Sequence, residues 1–224
     1  MKKTANSARQ YWMPLLIASL IGFGALPAKA QKLKIPTTKI GATYHTHNTG
    51  NYTLTDQTTG ESGDASGSLI GIAWFVEHLF MDRFSAGFKY GYGLERSMDI
   101  EVGTTQLEIL ESASFWALEF RAFVEDNLRP GLKPFLGVSY GNYSVTSTIT
   151  IVPATGTTSE ETTTATIPYT MLSGGADYTF GFGGVRLEIG QATGQRNDLE
   201  GSDTYYASYN YDGSIVAISV FVFF

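Results

Sequence analysis

Between residues 38 and 224 the chain alternates apolar and polar positions with a period of two in eight separate stretches, and that period predicts β-strands. The first, 38–47, sets Ile40, Ala42 and Tyr44 against Lys39, Gly41, Thr43 and His45, and the second, 67–77, sets Ile70, Ile72, Trp74 and Val76 against Gly71, Ala73 and Phe75. The cleanest alternation is the third, where Phe84, Ala86, Phe88, Tyr90, Tyr92 and Leu94 interleave with Ser85, Gly87, Lys89, Gly91, Gly93 and Glu95. Strands at about 107–124, 133–148 and 165–179 follow, then one starting near 183 and a last at 214–224. The connections after strands 1, 3, 5 and 7 are long or polar (47–66, 96–105, 152–164 and 194–212), and those after strands 2, 4 and 6 are short.

The last strand decides the solvent. Val216, Ile218, Val220, Val222 and Phe224 make one unbroken apolar stripe, and the other face carries Ile215, Ala217, Ser219, Phe221 and Phe223. In water such a strand needs cover on both sides and is an aggregation hazard at a sheet edge. A transmembrane β-strand of about 9–11 residues has the same length and a partner in lipid. After residue 30 no apolar run reaches the length of a spanning helix, so a membrane location requires a closed barrel, in which every backbone group is paired. The expected fold is therefore all-β, an eight-stranded antiparallel up-and-down transmembrane barrel with long loops outside and short turns in the periplasm. The aromatic residues are expected in two rings, with Trp74, Phe84, Phe120, Tyr178, Phe180 and Phe224 on the periplasmic side and Tyr44, Tyr92 and Tyr140 on the outer side. A secreted, lipocalin-like barrel with its apolar face inward is the soluble alternative.

An Arg on the lipid face near the midplane costs roughly 2–4 kcal/mol, which sends Arg121 and Arg186 into the lumen. With them go Lys89, Glu95, Glu119 and Glu188. An eight-stranded barrel has room only for its own side chains, and buried charges must find partners. The six are expected to form a salt-bridged plug and the barrel to lack a stable large pore. A narrow channel or carrier for small molecules is the alternative.

The N-terminus carries Lys2, Lys3 and Arg9, then an apolar run, then Ala28-Lys29-Ala30, the order of a secretory signal peptide cut before Gln31. The expected domains are a signal peptide, 1–30, and a barrel, 31–224. The leader holds four of the 15 Lys and Arg and none of the 21 Asp and Glu, so the remaining chain has 11 against 21 and a net charge of minus ten. That balance disfavours nucleic acid as a partner, and with no cysteine there is no disulfide framework and no lipoprotein signal.

The terminal Phe224 with apolar residues at the alternate positions before it resembles the C-terminal signal of bacterial outer-membrane barrels, which the barrel-assembly machinery reads. Leader, eight strands and terminal Phe together resemble the small eight-stranded outer-membrane proteins, such as the barrel domain of outer membrane protein A in stand-alone form. The resemblance implies residence in the outer membrane of a Gram-negative envelope, contact with its lipid and lipopolysaccharide, and assembly by that machinery through Val216, Ile218, Val220, Val222 and Phe224. With nothing after Phe224, the peptidoglycan-binding domain of outer membrane protein A is not expected.

Candidate chemistry is sparse. His45 and His47 share a strand face near the outer rim, and His78 falls at the other end. Two His make neither a metal site nor, without a paired nucleophile and orienter, a rim-site lipid-modifying enzyme, and the expectation is no enzyme, no metal and no cofactor. Asp56, Glu61 and Asp64 lack the spacing of a calcium loop. Tyr205, Tyr206, Tyr209 and Tyr211 in the last loop, with the Thr-rich loop 152–164, are the candidate contacts for an extracellular ligand.

Overall fold

The computed structural model describes residues 38–80, 83–125, 130–152, 158–180, 182–196 and 205–224, and the predicted leader lies outside them. Residues 36–224 form one compact unit. Its strands are β1 (Thr38–Asn48), β2 (Tyr52–Asp56), β3 (Ser62–Ala65), β4 (Ser68–Phe80), β5 (Phe84–Val102), β6 (Thr105–Phe123), β7 (Gly131–Val152), β8 (Ser159–Phe180), β9 (Gly183–Thr193), β10 (Gln195–Arg196), β11 (Tyr205–Asn210) and β12 (Gly213–Phe223). Eight of them close an antiparallel barrel in the order β1-β12-β9-β8-β7-β6-β5-β4, and these are the eight that the alternation predicts. β1 closes the ring by pairing with β4 on one side and β12 on the other.

The short connections gather at one end, here the bottom. Phe224 lies there too, since its N–H donates to the Thr38 carbonyl at 2.8 Å and its own carbonyl accepts from Thr38 at 3.1 Å. The outer surface is an apolar belt in which Ile72, Val76, Phe88, Leu118, Leu136, Leu172, Leu187, Ile218 and Val220 are all exposed. A continuous exposed surface of this kind is not stable in water and is the face a barrel turns to lipid. Trp74 stands higher than expected. It pairs with Ala42 and Tyr90, one row from Tyr92 and six residues above the Phe80 end of β4, so it belongs with the upper aromatic residues.

Two features of the top were not expected. The loop predicted at 96–105 and the described ends of the one predicted at 152–164, of which 153–157 lie outside the described residues, continue as strand: β5 and β6 pair to a two-residue turn between Val102 and Thr105, and β7 and β8 pair from Gly131↔Thr179 to Ile151↔Ser159. Gly103, at φ 60°, occupies the first turn position, where a two-residue hairpin takes a left-handed residue. The loops predicted at 47–66 and 194–212 contribute a four-stranded sheet, β10-β11-β2-β3. β3 lies against β5 and β10 against β8, so this sheet and the upper halves of β5–β8 enclose a second tier. Leu54, Leu69, Leu107, Ile109, Val145, Ile149 and Ile167 are buried in it, continuous with Phe115 and Ala117 in the barrel below. Gly, Asn and Asp make these segments poor strand formers on their own, and packing against the long hairpins overrides that preference.

Candidate functional site: the lumen

The lumen is closed from the bottom upward by side chains of three kinds. The lowest layer is ionic. Lys39 on β1, Glu77 on β4, Lys89 on β5, Glu119 and Arg121 on β6, Asp177 on β8 and Arg186 and Glu188 on β9 are all buried. Four carry positive and four negative charge, so the layer is neutral, as the low dielectric of a membrane interior demands. Arg186 donates from Nε to Asp177 at 2.6 Å and from Nη1 to Glu77 at 2.8 Å, and Arg121 donates to the same Glu77 oxygen at 2.8 Å and to Glu188 at 3.0 Å. Lys39 bridges Asp177 at 2.7 Å and Glu77 at 3.2 Å. Lys89 pairs with Glu119, which also accepts from Arg121 at 3.0 Å.

β4, β6 and β9 are not neighbours in the ring, so the bonds from Arg121 and Arg186 to Glu77, and from Arg121 to Glu188, cross the lumen. Phenyl rings complete the layer: Arg186 lies 5.2 Å from the centre of Phe135 and 5.5 Å from that of Phe75, and Lys39 lies 4.8 Å from that of Phe123. A guanidinium presents its donors in plane and its face to a ring, so Arg121 and Arg186 each bind more than one carboxylate while packed on Phe135, and Lys39 on β1 reaches Asp177 on β8 across the lumen as well.

Above the ionic layer is an aromatic one. His45 meets Phe115 edge-on at 5.1 Å, His47 lies 5.7 Å from Tyr143, and Tyr143 packs on Tyr169 and Tyr211 at 4.7 and 4.9 Å. The His45 ring occupies the space a Cβ at Gly71 would fill, so glycine there admits the imidazole against the wall. A cavity of about 20 Å³, lined by His45, Lys89, Glu119, Tyr143 and Tyr169 among others, separates the two layers and has room for about one water. The third layer is the core of the upper tier. Tyr209 there shares hydrogen bonds with Ser147 and Thr163 at 2.8 and 3.1 Å, and the Tyr211 hydroxyl donates to Glu111 at 2.8 Å.

Of the residues expected in the lumen, Lys89, Glu119, Arg121, Arg186 and Glu188 are brought together here, and Glu95 is not. Glu95 is exposed on the outside. A β-bulge between Gly93 and Arg96 breaks the register with β6, and an extra residue reverses which side chains point inward. Below it Lys89 and Gly91 face the lumen, and above it Met98, Ile100 and Val102 do. Arg96, at the bulge, takes the inward role and donates to Glu111 at 3.0 Å. Lys39, Glu77 and Asp177 were missing from the expected network, although each stands at the inward parity of its strand.

The Tyr cluster is corrected as well. Tyr205, Tyr209 and Tyr211 are buried and only Tyr206 is exposed, at 57 %. β11 pairs with β2 and turns its odd positions to the upper core, and the signal was present in the sequence as a period of two. His45 and His47 are enclosed in the lumen and do not face the leaflet. Asp64 accepts from Thr53 at 2.6 Å and Asp56 from the Thr58 and Thr59 N–H groups at 2.6 and 3.0 Å. Among the described residues, no group of three or more His, Asp and Glu could hold a metal ion.

No family model matches the sequence, and no curated protein matches it. Solved structures do. The outer membrane protein OprG from Pseudomonas aeruginosa aligns with a TM-score of 0.54 at 9 % identity, over 86 % of this chain and 97 % of its own. The N-terminal β-barrel domain of OprF from the same organism gives 0.44 at 8 % identity, over 83 % and 96 %. The outer membrane protease OmpT from Escherichia coli gives 0.45 at 11 %, over 88 % and 99 %. Likeness at such identity carries fold and not activity. The chain thus has the fold of the small eight-stranded outer-membrane β-barrels, and its apolar belt fits it to the bacterial outer membrane.

Proposed function

We propose that the chain, after removal of its leader, is a non-enzymatic outer-membrane barrel with a side-chain-plugged lumen, which contributes to envelope structure and to interaction at the cell surface through its upper tier. The observation that carries this reading is the charge-balanced layer bridging β1, β4, β6, β8 and β9. A hydrated ion crossing the lumen must break several of these contacts at once, and removing one partner leaves another buried charge alone. The enclosure of His45 and His47 supports the non-enzymatic part, because the imidazoles have no access to a lipid substrate. The ionic layer also counts against passage of an apolar molecule along the axis.

Single-protein recordings in planar bilayers are the test. Baseline current up to about 100 mV, with no steady open level, is expected for the native chain, and a steady conductance of porin size overturns the plugged-lumen reading. For assembly, the outward stripe Val216, Ile218, Val220, Val222 and Phe224, which ends beside Thr38 at the lower rim, is proposed as the surface read by the barrel-assembly machinery. Phe224→Ala is expected to lower the yield of folded barrel in cells while leaving refolding from urea into detergent unchanged, and equal cellular yield refutes this role.

A further inference from the structure

We infer that the outer face of the tall β6–β8 wall, directly above the lipid belt, is a docking surface for the sugar headgroups of outer-leaflet glycolipid. The proposal rests on the outer-membrane placement and specifies what the upper tier touches. On this face the cross-strand pairs Ser144↔Thr166, Thr146↔Thr164 and Thr148↔Thr162 stack in three successive rows, and all six side chains point outward with exposed or half-exposed surface. Neighbouring strands are about 4.8 Å apart and alternate residues about 6.7 Å apart along each strand, so the six hydroxyls form a regular grid. Each can both donate and accept, which suits a partner made of hydroxyls.

Position identifies that partner. The rows begin just above Tyr140 and Trp116, which mark the upper margin of the apolar belt on these strands, and rise in register from it. The wall is one-sided: β1, β9 and β12 end at Asn48, Thr193 and Gly213, while β7 and β8 run on past these rows. The distribution of charge agrees. The outward positions of β6–β8 carry no charged residue until the next row up, where Glu108, Thr150 and Glu160 align. Water solubility alone is served by carboxylates, which the chain uses freely one row higher. Their absence from the first three rows fits a layer in which lipid phosphates repel carboxylates and sugar hydroxyls bond to neutral ones.

The test uses the whole barrel reconstituted into bilayers of phospholipid alone, of phospholipid with lipopolysaccharide carrying its core sugars, and of phospholipid with lipopolysaccharide truncated to lipid A. The readout is the temperature at which the compact form in gel electrophoresis is lost. Native protein is expected to gain several degrees with the full glycolipid and much less with lipid A. Thr→Val is nearly isosteric and keeps strand propensity, so Thr146→Val/Thr164→Val and Thr148→Val/Thr162→Val are expected to match the native value in phospholipid and to lose at least half of the glycolipid increment. Equal temperatures for native protein in all three bilayers, or a full increment in both double variants, overturns the docking surface and leaves the membrane placement standing. A barrel that stays soluble without detergent and enters none of the bilayers refutes the placement itself.

Discussion

Arg186 shows how much the lumen asks of one side chain. It is fully buried and bonds to both Asp177 and Glu77, so Arg186→Met leaves two carboxylates competing for Lys39 and Arg121. Breaking a buried pair by removing one partner typically costs about 3–5 kcal/mol. A loss of that size in the urea unfolding of the detergent-solubilised barrel is expected, with partial recovery in Arg186→Met/Asp177→Leu, where the orphaned charge is removed as well. The tyrosines separate core from surface in the same way. Tyr209→Phe removes the hydroxyl shared by Ser147 and Thr163 and is expected to cost about 0.5–1.5 kcal/mol, while Tyr206→Ala at an exposed position is expected to stay within about 0.5 kcal/mol of the native chain.

At the tip of the β2–β3 hairpin, the Thr59 and Thr58 N–H groups hold the Asp56 carboxyl below its ordinary value of 3.8. A carboxyl with a depressed folded pKa stabilises its turn above the unfolded value and stops doing so as the pH falls through the folded one. Protection of the Thr58 and Thr59 amides, taken relative to the intrinsic exchange rate at each pH, is therefore expected to hold at neutral pH and to fall only below about 3.8, and Asp56→Asn is expected to flatten that acid limb.

Among the elements, legibility followed lipid. Strands in the belt alternate sharply because one face meets hydrocarbon and the other a crowded polar lumen, so residues such as Phe88, Lys89 and Tyr90 declare their sides in the sequence. Above the belt the outside is water, the contrast shrinks, and Thr-rich strand looks like loop. The upper ends of β7 (149–152) and β8 (159–164) were hidden by this, even though Ile149 and Thr163 keep the inward parity. Lys39 and Glu77 were readable by the same parity, but their strands were judged by apolar residues alone. Nothing in the composition of Gly93-Leu94-Glu95-Arg96 marks a bulge, and its effect on Glu95 depends on pairing with β6. The hairpin gives a direct check: deletion of 155–163 removes Thr163 from Tyr209 and strips β7 of most of its upper partners. The deleted barrel is expected to keep its gel shift and to lose several degrees of thermal stability, whereas a mere loop would leave that temperature unchanged.

For the molecule as a whole, the strands divide two tasks. The belt and ionic layer use all eight strands and fix the barrel in lipid with each of the eight charged side chains of the layer in an ion pair. The upper tier uses four of those strands and recruits four short ones, which makes a second packed body out of segments that in a simpler barrel serve only as connections. Charge is sorted between them: the lumen layer is neutral, and the described part of the top is acidic, with Asp56, Glu61, Asp64, Glu95, Asp99, Glu101, Glu108, Glu111, Glu160, Glu161 and Asp212 against Arg96 and Arg196. Association with polyanions in solution is therefore expected to be weak at low salt, measurable as the absence of retention on immobilised heparin.

The bulge at Gly93–Arg96 means that β5 is written in two frames. Below it, odd-numbered residues belong to the interior; above it, even-numbered ones do. Deleting the single residue Leu94 would remove the extra residue and restore an unbroken alternation, leaving Met98, Ile100 and Val102 inward and Asp99 and Glu101 outward. One codon removed lower in β5, at Tyr90 for example, would instead reverse the residues between the cut and the bulge, turning Gly91 and Gly93 out and Tyr92 and Leu94 into the lumen. Tolerance to single-residue deletion along β5 should accordingly show a sharp maximum at this point, set by grammar and not by the chemistry of the residue lost.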